Sequence, residues 1–299
     1  MLSLHTNSAS LAAQNAISTT QKALSVSQTR LSTGLRINSA QDDAAGLQIA
    51  TRLKAQTSGI AVAQRNTQNS ISLMQTADGA LSETTNILSR MKDLATQAAD
   101  GSSTTTDRTA IQSEYDSLTS ELSNIVANTA FGGTKLLNVG TGKFSTAGAD
   151  ANGGVTFQIG ASTAESTTVK LGTQLTALDS SFSAAATEYN GSTGAASTGG
   201  TEMTGGSAGT FIDSLASAID AVSTVRSALG AASNSLDHAY NNLSNIATNT
   251  IIATGRLEDT DFAAESANSV SNQLLLQAGT TMLKQSNSIS SLVISLLQT

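Results

Sequence analysis

The sequence predicts a mainly α-helical protein, built from long coiled-coil-like helices in its N- and C-terminal halves, with a small β-hairpin region and a short central insert. Two observations lead to this prediction. Apolar residues recur at alternating spacings of three and four over long stretches, which is the pattern of a heptad seam between packed helices. The 299 residues also contain no proline, a residue that costs roughly 3 kcal/mol in a helix interior.

The longest seam lies in the second half of the chain and keeps its alternation over about six heptads. It comprises Ile212, Leu215, Ile219, Val222, Arg226, Leu229, Ser233, Leu236, Tyr240, Leu243, Ala247, Thr250, Thr254 and Leu257. A helix over residues 212–256 would be roughly 65–70 Å long at the usual rise per residue. Such a helix is a rod and not an element of an ordinary globular domain.

Two shorter seams precede it. The first consists of Met74, Ala77, Leu81, Thr84, Leu88, Met91, Ala95 and Ala98, and the second of Ile111, Tyr115, Leu118, Leu122 and Ile125. The first ends at a run of Asp, Gly and Ser over 100–103, and the second near Phe131. These residues favour loops, so we predict two helices separated by a turn.

The middle of the chain differs in composition, since residues 141–206 hold twelve of the 24 glycines. Residues 155–159 alternate apolar and polar side chains and end at Gly160, which predicts a strand, with 168–171 as its partner. Residues 183–210 are rich in Ser, Thr, Gly and Ala. They predict an exposed loop or small flexible insert.

Both ends of the chain place aliphatic side chains along helices whose polar residues are mostly uncharged. A lone helix of this kind is unstable in water, because each unburied aliphatic side chain forgoes about 1.5–3 kcal/mol. We predict that the ends are partly disordered in the free chain and fold against each other and against neighbouring copies. A simple intramolecular coiled coil is the alternative. The predicted assembly residues are Leu4, Leu11, Leu24, Leu31, Leu35, Leu276, Leu283, Leu292 and Leu296.

The net charge of −7 and the pI near 4.7 argue against nucleic-acid binding, and no Lys/Arg cluster offsets them. The charges are unevenly placed. Residues 1–77 carry six basic and two acidic side chains, whereas 257–299 carry four acidic side chains and Lys284. The two ends can therefore complement each other within one copy or between copies. The alternative is two solvated faces.

Few residues suit catalysis or metal binding, so we expect no enzyme activity, catalytic residue, metal or cofactor. The chain has no Cys and only two His, His5 and His238, which lie at opposite ends. It lacks a zinc-protease motif, a nucleophile elbow and a phosphate-binding loop. The pairs Asp42–Asp43 and Asp259–Asp261 have too few neighbouring oxygen ligands for calcium and predict turn, cap and ion-pair residues facing Arg.

The N-terminus lacks a charged segment followed by an apolar one, so we expect no cleaved secretory signal. No apolar run approaches the ~20 residues that a membrane span needs. Even the apolar segment 291–297 is far too short.

Several strings resemble bacterial flagellin, over about residues 1–173 and 207–299. The most characteristic is LSTGLRINSA at 31–40, followed by DDAAGL at 42–47. Others are QRN at 64–66, QTADGAL at 75–81, LLN at 136–138, FQIGA at 157–161, RSALGA at 226–231, RLEDTDFA at 256–263 and QAG at 277–279.

The resemblance implies a long antiparallel coiled-coil or helical-bundle rod formed by the two halves of the chain. Residues 1–44 and 257–299 would form an inner domain of terminal helices, in the filament core. Residues 45–173 and 207–256 would form the helical rod with its hairpin, and 174–206 a short variable surface insert. The implied function is self-assembly into the extracellular flagellar filament for bacterial motility, after export without a cleaved signal.

The implied partners are other copies of the chain, an export chaperone, and cap and junction proteins of the flagellum. Residues 88–97 also resemble the flagellin segment recognised by the innate-immune Toll-like receptor, with Arg90, Leu94 and Glu114 at the matching positions. Helical spacing predicts that Arg90 and Leu94 share a face. The alternatives are a hook–filament junction protein and a flagellin-derived surface adhesin.

Overall fold

A computed structural model of the chain describes residues 7–145, 154–195 and 199–297, with the backbone alone over 289–297. Its elements follow in this order: α1 (Ser8–Thr33), α2 (Ala44–Ala99), α3 (Thr105–Asn128), β1 (Ala130–Phe131), β2 (Thr134–Lys135), β3 (Val155–Gln158), β4 (Ser166–Val169), α4 (Gly172–Ala185), α5 (Ala208–Glu258) and α6 (Phe262–Leu297). The predicted mainly helical fold with a small hairpin region is confirmed.

The heptad seams coincide with the long helices. The first seam lies in α2, the second in α3 and the longest in α5. Helix α3 begins with a capping box: the Thr104 hydroxyl accepts from the Asp107 amide, and the Asp107 carboxylate accepts from the Thr104 amide. Two otherwise unpaired amides at the helix start are thereby satisfied, which explains why the helix begins here.

The chain divides into two compact units, and α2 and α5 contribute residues to both. The terminal unit comprises Met1–Thr57 with Thr248–Thr299, and the central unit comprises Ser58–Ala247. The three-part division predicted from the sequence has other borders and stays a prediction.

The central unit has a continuous hydrophobic core. Seam residues of α2, α3 and α5 are buried in it, among them Leu81, Leu88, Leu122, Val222 and Leu229. Each is at most 1% exposed. Burial of this kind contributes about 1.5–3 kcal/mol per large aliphatic side chain, which accounts for the packing of three long helices against one another.

Two small antiparallel hairpins complete the central unit. Strand β1 pairs with β2, and β3 pairs with β4, with Val155 opposite Val169 and Gln158 opposite Ser166. The predicted strand and its partner are therefore confirmed. Val155 and Val169 face the core, whereas the strand ends at Gln158 are exposed. Burial therefore decreases along the hairpin from its open end toward its turn.

The segment after the hairpins differs from the sequence-based expectation. Residues 183–210 were expected to form an exposed loop or flexible insert, but α4 continues to Ala185, and Ala185, Ala186, Tyr189 and Met203 are buried. The Tyr115 hydroxyl on α3 donates to the Ala185 carbonyl at 2.5 Å. Burial, with the nearby acidic groups, raises the pKa of Tyr115. The described residues between 186 and 207 form no helix or strand, as expected of a loop, but the segment is not a detached insert, because apolar residues spaced along it fill the core.

A buried carboxylate also anchors this segment. Glu202 is 3% exposed, and its side chain accepts hydrogen bonds from the Thr187 amide at 2.9 Å and the Gln112 side chain at 2.8 Å. Gln112 in turn accepts from the Met203 amide at 2.7 Å. Burial acts to raise the pKa of Glu202, but the hydrogen bonds from Thr187 and Gln112 outweigh it and lower the pKa. The carboxylate is therefore kept ionised by neutral donors.

Candidate assembly surface

The terminal unit contains an antiparallel pair of helices, α1 and α6. At one end the Asn7 side chain donates to the Ser286 carbonyl at 3.2 Å, and the Ser10 hydroxyl donates to the Asn287 side chain at 3.1 Å. At the other end the Arg30 guanidinium lies 3.7 Å from the Glu265 carboxylate. The start of α1 therefore lies beside residues 286–287, in the C-terminal part of α6.

The two helices meet along a narrow heptad seam. Its residues are the less exposed ones and recur at spacings of three and four: Ser10, Ala13, Ile17, Thr20, Leu24, Ser27 and Leu31 in α1, and Glu265, Ser269, Asn272, Leu276, Gly279, Leu283 and Ser286 in α6. Most are small or polar. A Cβ on Gly279 would lie 2.9 Å from the Ile17 side chain, so the glycine leaves room for that isoleucine.

Large aliphatic and aromatic side chains of the terminal unit point outward instead. Of the eleven large hydrophobic side chains that are exposed among the described residues, ten belong to this unit: Leu11, Val26, Ile49, Ile251, Ile252, Phe262, Val270, Leu274, Leu275 and Met282. Val62 of the central unit is the eleventh. Ile37 and Ala50 are the only described hydrophobic residues that are buried in the terminal unit. The described side chains of one copy therefore form no hydrophobic core within this unit.

The turns that follow α1 and precede α6 are hydrogen-bonded to each other. The Arg36 amide donates to the Glu258 carbonyl at 2.5 Å, and the Thr260 amide donates to the Gly34 carbonyl at 3.0 Å. Gly34 has a φ of 74°, which is the left-handed conformation typical of a residue that ends a helix. The side of Gly34 on which another residue would carry its Cβ faces the Phe262 ring. An added Cβ would lie 3.6 Å from that ring.

The opposite charges of the two ends of the chain contact each other within one copy. This is one of the two predicted arrangements, the other being contact between copies. The Lys54 ammonium contacts the Glu258 carboxylate at 2.6 Å, and the Glu258 side chain is only 4% exposed. The Arg36 guanidinium donates to the Leu257 carbonyl at 3.0 Å. Lys54 remains half exposed, so this ion pair is of the partly solvated kind that contributes modestly to stability.

The aspartate pairs act mainly as turn and cap residues, as predicted. The Asp43 carboxylate accepts from the Gly46 amide at 2.8 Å at the start of α2, and Asp261 accepts from the Ala263 amide at 2.9 Å at the start of α6. Hydrogen bonds from Ser39 and from the Asn38 amide hold the pKa of Asp42 below its usual range. The sequence also predicts that these aspartates face Arg side chains: the charge of Arg30 contributes to lowering the pKa of Asp42, although the ion pair of Arg30 is with Glu265.

The predicted assembly leucines fall into three groups. Leu24, Leu31, Leu35, Leu276 and Leu283 are partly buried, and all except Leu35 belong to the seam between α1 and α6. Leu11 is 52% exposed and faces outward. Leu4 and the side chains of Leu292 and Leu296 lie outside the described residues, as does His5.

Of the ten outward residues, only Leu11 is among the predicted assembly residues. Sequence reasoning emphasised leucines at heptad spacing, which pack within the chain. The outward residues stand between those positions, as Leu274 and Leu275 do beside Leu276. They can be identified in the sequence of a helix with a regular heptad pattern. They are the apolar residues that do not occupy the heptad positions of the seam.

The three receptor-binding candidates lie in the central unit, and only two of them are exposed. Arg90 on α2 and Glu114 on α3 are about half exposed and form an ion pair of 2.6 Å. Leu94 is 2% exposed and belongs to the core. Arg90 and Leu94 are one helical turn apart on α2, as predicted, but Leu94 faces the core and is not exposed beside Arg90, and receptor binding by these residues stays a prediction.

Neither a metal site nor a membrane span is evident in the part of the chain that the structure describes. Within residues 7–145, 154–195 and 199–297, no three His, Cys, Asp or Glu side chains converge as metal ligands. None of the described helices combines the length and apolar character needed to cross a membrane.

Two family models match the chain. The model of the bacterial flagellin N-terminal helical region matches residues 4–141, and the model of the bacterial flagellin C-terminal helical region matches residues 212–297. The chain belongs to the flagellin family. This flagellin is therefore a structural filament protein and not an enzyme, and the flagellins that it resembles form extracellular flagellar filaments.

Individual relatives agree with this result. Polar flagellin F of Vibrio parahaemolyticus and flagellin D of Vibrio cholerae are each 34% identical to this flagellin over alignments of 385 positions, gaps included. In both cases the match covers 99% of this chain and 99% of the relative. The crystal structure of Bacillus cereus flagellin matches with 30% identity and a TM-score of 0.46, over 60% of this chain and 88% of that one.

Proposed function

We propose that the outward aliphatic side chains of the terminal unit are the surface on which successive copies pack into the filament. The observation that supports this most directly is the concentration of exposed large hydrophobic residues there, ten of the eleven among the described residues. Soluble monomers rarely expose so many such residues, and an extended apolar surface of this kind usually marks an interaction site. A second copy is the natural partner, because the chain is a filament subunit.

The proposed contact is head-to-tail, since a contact between different surfaces that does not close a ring generates a helical polymer. This arrangement explains why most residues of the seam between α1 and α6 are small or polar. A seam with Ser10, Thr20, Ser27, Ser269 and Asn272 in it gives two helices little stability alone. The additional burial then comes from neighbouring copies, so that assembly stabilises helices that pair only weakly in the free chain.

The same surface gives a reason for the proposed partners in the cell. Before assembly, side chains such as Leu274, Leu275 and Met282 are more than half exposed and prone to unwanted association. An export chaperone would cover them, and cap and junction proteins of the flagellum would meet them at the two ends of the filament. Export without a cleaved signal and a role in motility complete the proposal.

Polymerisation of a truncated chain tests this proposal. A chain lacking residues 1–40 and 260–299 is expected to form no filaments under conditions in which the full chain, seeded or salted out, forms long ones by negative-stain microscopy. Circular dichroism of the truncated chain checks that the central unit still folds. Filaments from both chains would contradict the role of the ends. Filaments from neither would favour the hook–filament junction protein, whereas the adhesin alternative requires a specific surface ligand.

We also propose that the free subunit is recognised by the innate-immune Toll-like receptor for flagellin. Two features support it: the resemblance of residues 88–97 to the recognised segment, and the exposure of the Arg90–Glu114 ion pair. Arg90 donates to one Glu114 oxygen through Nε at 2.9 Å and through a terminal nitrogen at 2.6 Å. The guanidinium is thus held in one orientation with donors still free for a partner. Leu94, being buried, would act by holding α2 in place.

Arg90→Ala is expected to lower receptor signalling by the free subunit at least about tenfold, the loss typical of removing an interfacial arginine anchor. The measurement is a dose–response curve in a cell-based reporter assay. Arg52→Ala is the matched control, because it removes an exposed arginine from the terminal unit. An unchanged curve for Arg90→Ala would mean that the resemblance of this segment does not extend to receptor binding.

A further inference from the structure

The seam between α1 and α6 does little to choose its own register. The larger residues of the α1 seam, Ile17, Leu24 and Leu31, recur every seven positions, and so do Leu276 and Leu283 of α6. If α6 slid by one heptad along α1, Ile17 would move from Gly279 to Asn272 or Ser286. Both belong to the same heptad column as Gly279, so the slid helices would again place aliphatic residues against small or polar ones.

The remaining contacts along the helices are weak determinants of register. Asn7 and Ser286 exchange hydrogen bonds of 3.2–3.5 Å, and Ser10 donates one to Asn287 at 3.1 Å, all at a partly solvated end of the pair. Water can replace such bonds at small cost. The Arg30–Glu265 contact, at 3.7 Å, is longer than a hydrogen bond. The fit of Ile17 against Gly279 is a shape-specific contact that a slide would disturb, because Asn272 and Ser286 carry the Cβ for which Gly279 leaves no room.

The turns offer a more exacting constraint. We define the clasp as residues 34–36 together with 258–260, which are joined by the two backbone hydrogen bonds Arg36 to Glu258 and Thr260 to Gly34. Backbone bonds of this kind cannot be reproduced after a slide of seven residues, which would displace the helices by about 10 Å. The clasp follows the last residue of α1 directly and ends two residues before α6 begins. It therefore fixes the position at which each helix starts to run alongside the other.

Two features hold the clasp in its conformation. Gly34 occupies the left-handed region at φ 74°, where a β-branched residue is strongly disfavoured. In the other segment of the clasp, residues 258–260, the ion pair between Glu258 and Lys54 attaches the clasp to α2. If either feature is removed, α1 and α6 can still pair, but the clasp no longer fixes the register in which they do so.

We propose that Gly34 and Glu258 are positioning residues for filament assembly, because the clasp between residues 34–36 and 258–260 sets the register of α1 against α6. This inference rests on the proposed assembly surface: register decides which outward side chains lie side by side, and neighbouring copies can pack only on one such arrangement. A subunit whose helices pair one heptad out of register would present a mismatched surface to the filament.

Disulfide trapping tests the proposal cleanly, because the natural chain has no cysteine. The in-register pair is Ile17→Cys with Gly279→Cys, whose positions are adjacent. The two shifted pairs combine Ile17→Cys with Asn272→Cys or with Ser286→Cys. Each pair is made in the natural background, in Gly34→Val and in Gly34→Asn. Asparagine tolerates the left-handed conformation that valine does not, so Gly34→Asn is the matched control for an added side chain.

The full-length chains are oxidised both as soluble protein and after seeded polymerisation, and the intramolecular disulfide is quantified by non-reducing electrophoresis and mass spectrometry. In the natural and Gly34→Asn backgrounds, the in-register disulfide should exceed each shifted one about tenfold, as expected from two net backbone hydrogen bonds. In Gly34→Val the shifted disulfides should rise to comparable yields, and filaments should be fewer and shorter. Glu258→Gln should have the same effect in smaller measure.

Two results would overturn the inference. An unchanged preference for the in-register disulfide in Gly34→Val would show that the seam alone sets the register. Equal trapping of all three pairs in the natural soluble chain would show that the clasp does not act before assembly. Because soluble chains are also measured, a variant that cannot polymerise still reports its register. Failure of the proposed function gives another pattern, namely normal in-register trapping in the natural chain without any filaments.

Discussion

The double substitution Leu274→Gln with Leu275→Gln is expected to raise the concentration needed for polymerisation at least about a hundredfold. Both leucines are more than half exposed in one copy, and the proposal buries them against a neighbour. Burial of one leucine stabilises a contact by about 1.5–3 kcal/mol, and glutamine forfeits most of this. Glutamine is nearly as good a helix former as leucine, so α6 itself should persist. Seeded elongation followed by sedimentation over a concentration series gives the measurement.

Val62→Gln is the matched control for this experiment. Val62 is 44% exposed, lies in α2 and belongs to the central unit, so it is an exposed aliphatic side chain outside the proposed surface. Its replacement should leave the polymerisation threshold within about threefold of the natural chain, the scatter usual for surface substitutions. If the double variant polymerised at the natural threshold, Leu274 and Leu275 would not lie at the subunit contact.

Phe182→Ala is expected to lower the free energy of unfolding of the central unit by about 3–5 kcal/mol, the usual effect of emptying a buried aromatic site. Phe182 is fully buried in α4. Its ring packs edge-on against Tyr189, with 5.3 Å between ring centroids, a geometry that adds about 0.5–1.5 kcal/mol to the effect of burial. Urea denaturation followed by far-ultraviolet circular dichroism measures the change.

Ser180→Ala is the control, since Ser180 lies two residues away on the exposed side of α4. It should change the free energy of unfolding by no more than about 0.5 kcal/mol. Equal and small effects of both substitutions would mean that α4 is a dispensable surface addition, as the family resemblance implies for residues 174–206. A large effect of Phe182→Ala alone would establish the helix as part of the central core.

The sequence predicts the long helices well because their heptad patterns are regular over many turns. The seam of α5 is an example: its 3–4 alternation from Ile212 to Leu257 agrees with a helix over Ala208–Glu258. Local chemistry also predicts the caps at Asp43 and Asp261, because an aspartate before a helix can accept from its first amides. Such features depend on neighbours within a few residues, which the sequence displays directly.

The α4 segment is where composition misled. Its many Ser, Thr and Gly residues resemble a flexible linker, and the apolar residues among them are few. Yet Leu175, Leu178 and Phe182 recur at spacings of three and four and are buried. Met203, which lies farther along, joins the same core. The number of apolar residues in a segment is a poor guide when they all fall on one side.

The sequence by itself determined the helices, the hairpin, the opposite charges of the two ends and, through its motifs, membership of the flagellin family. The tertiary structure alone decided which faces are covered. Leu94 is buried while Arg90 is exposed, and Leu276 belongs to the seam while Leu274 and Leu275 face outward. The clasp between Gly34 and Thr260 is equally invisible in the sequence. The physical reason is the same for all of them: burial and pairing depend on partners more than 150 residues away or on neighbouring helices, and a linear pattern records only local spacing.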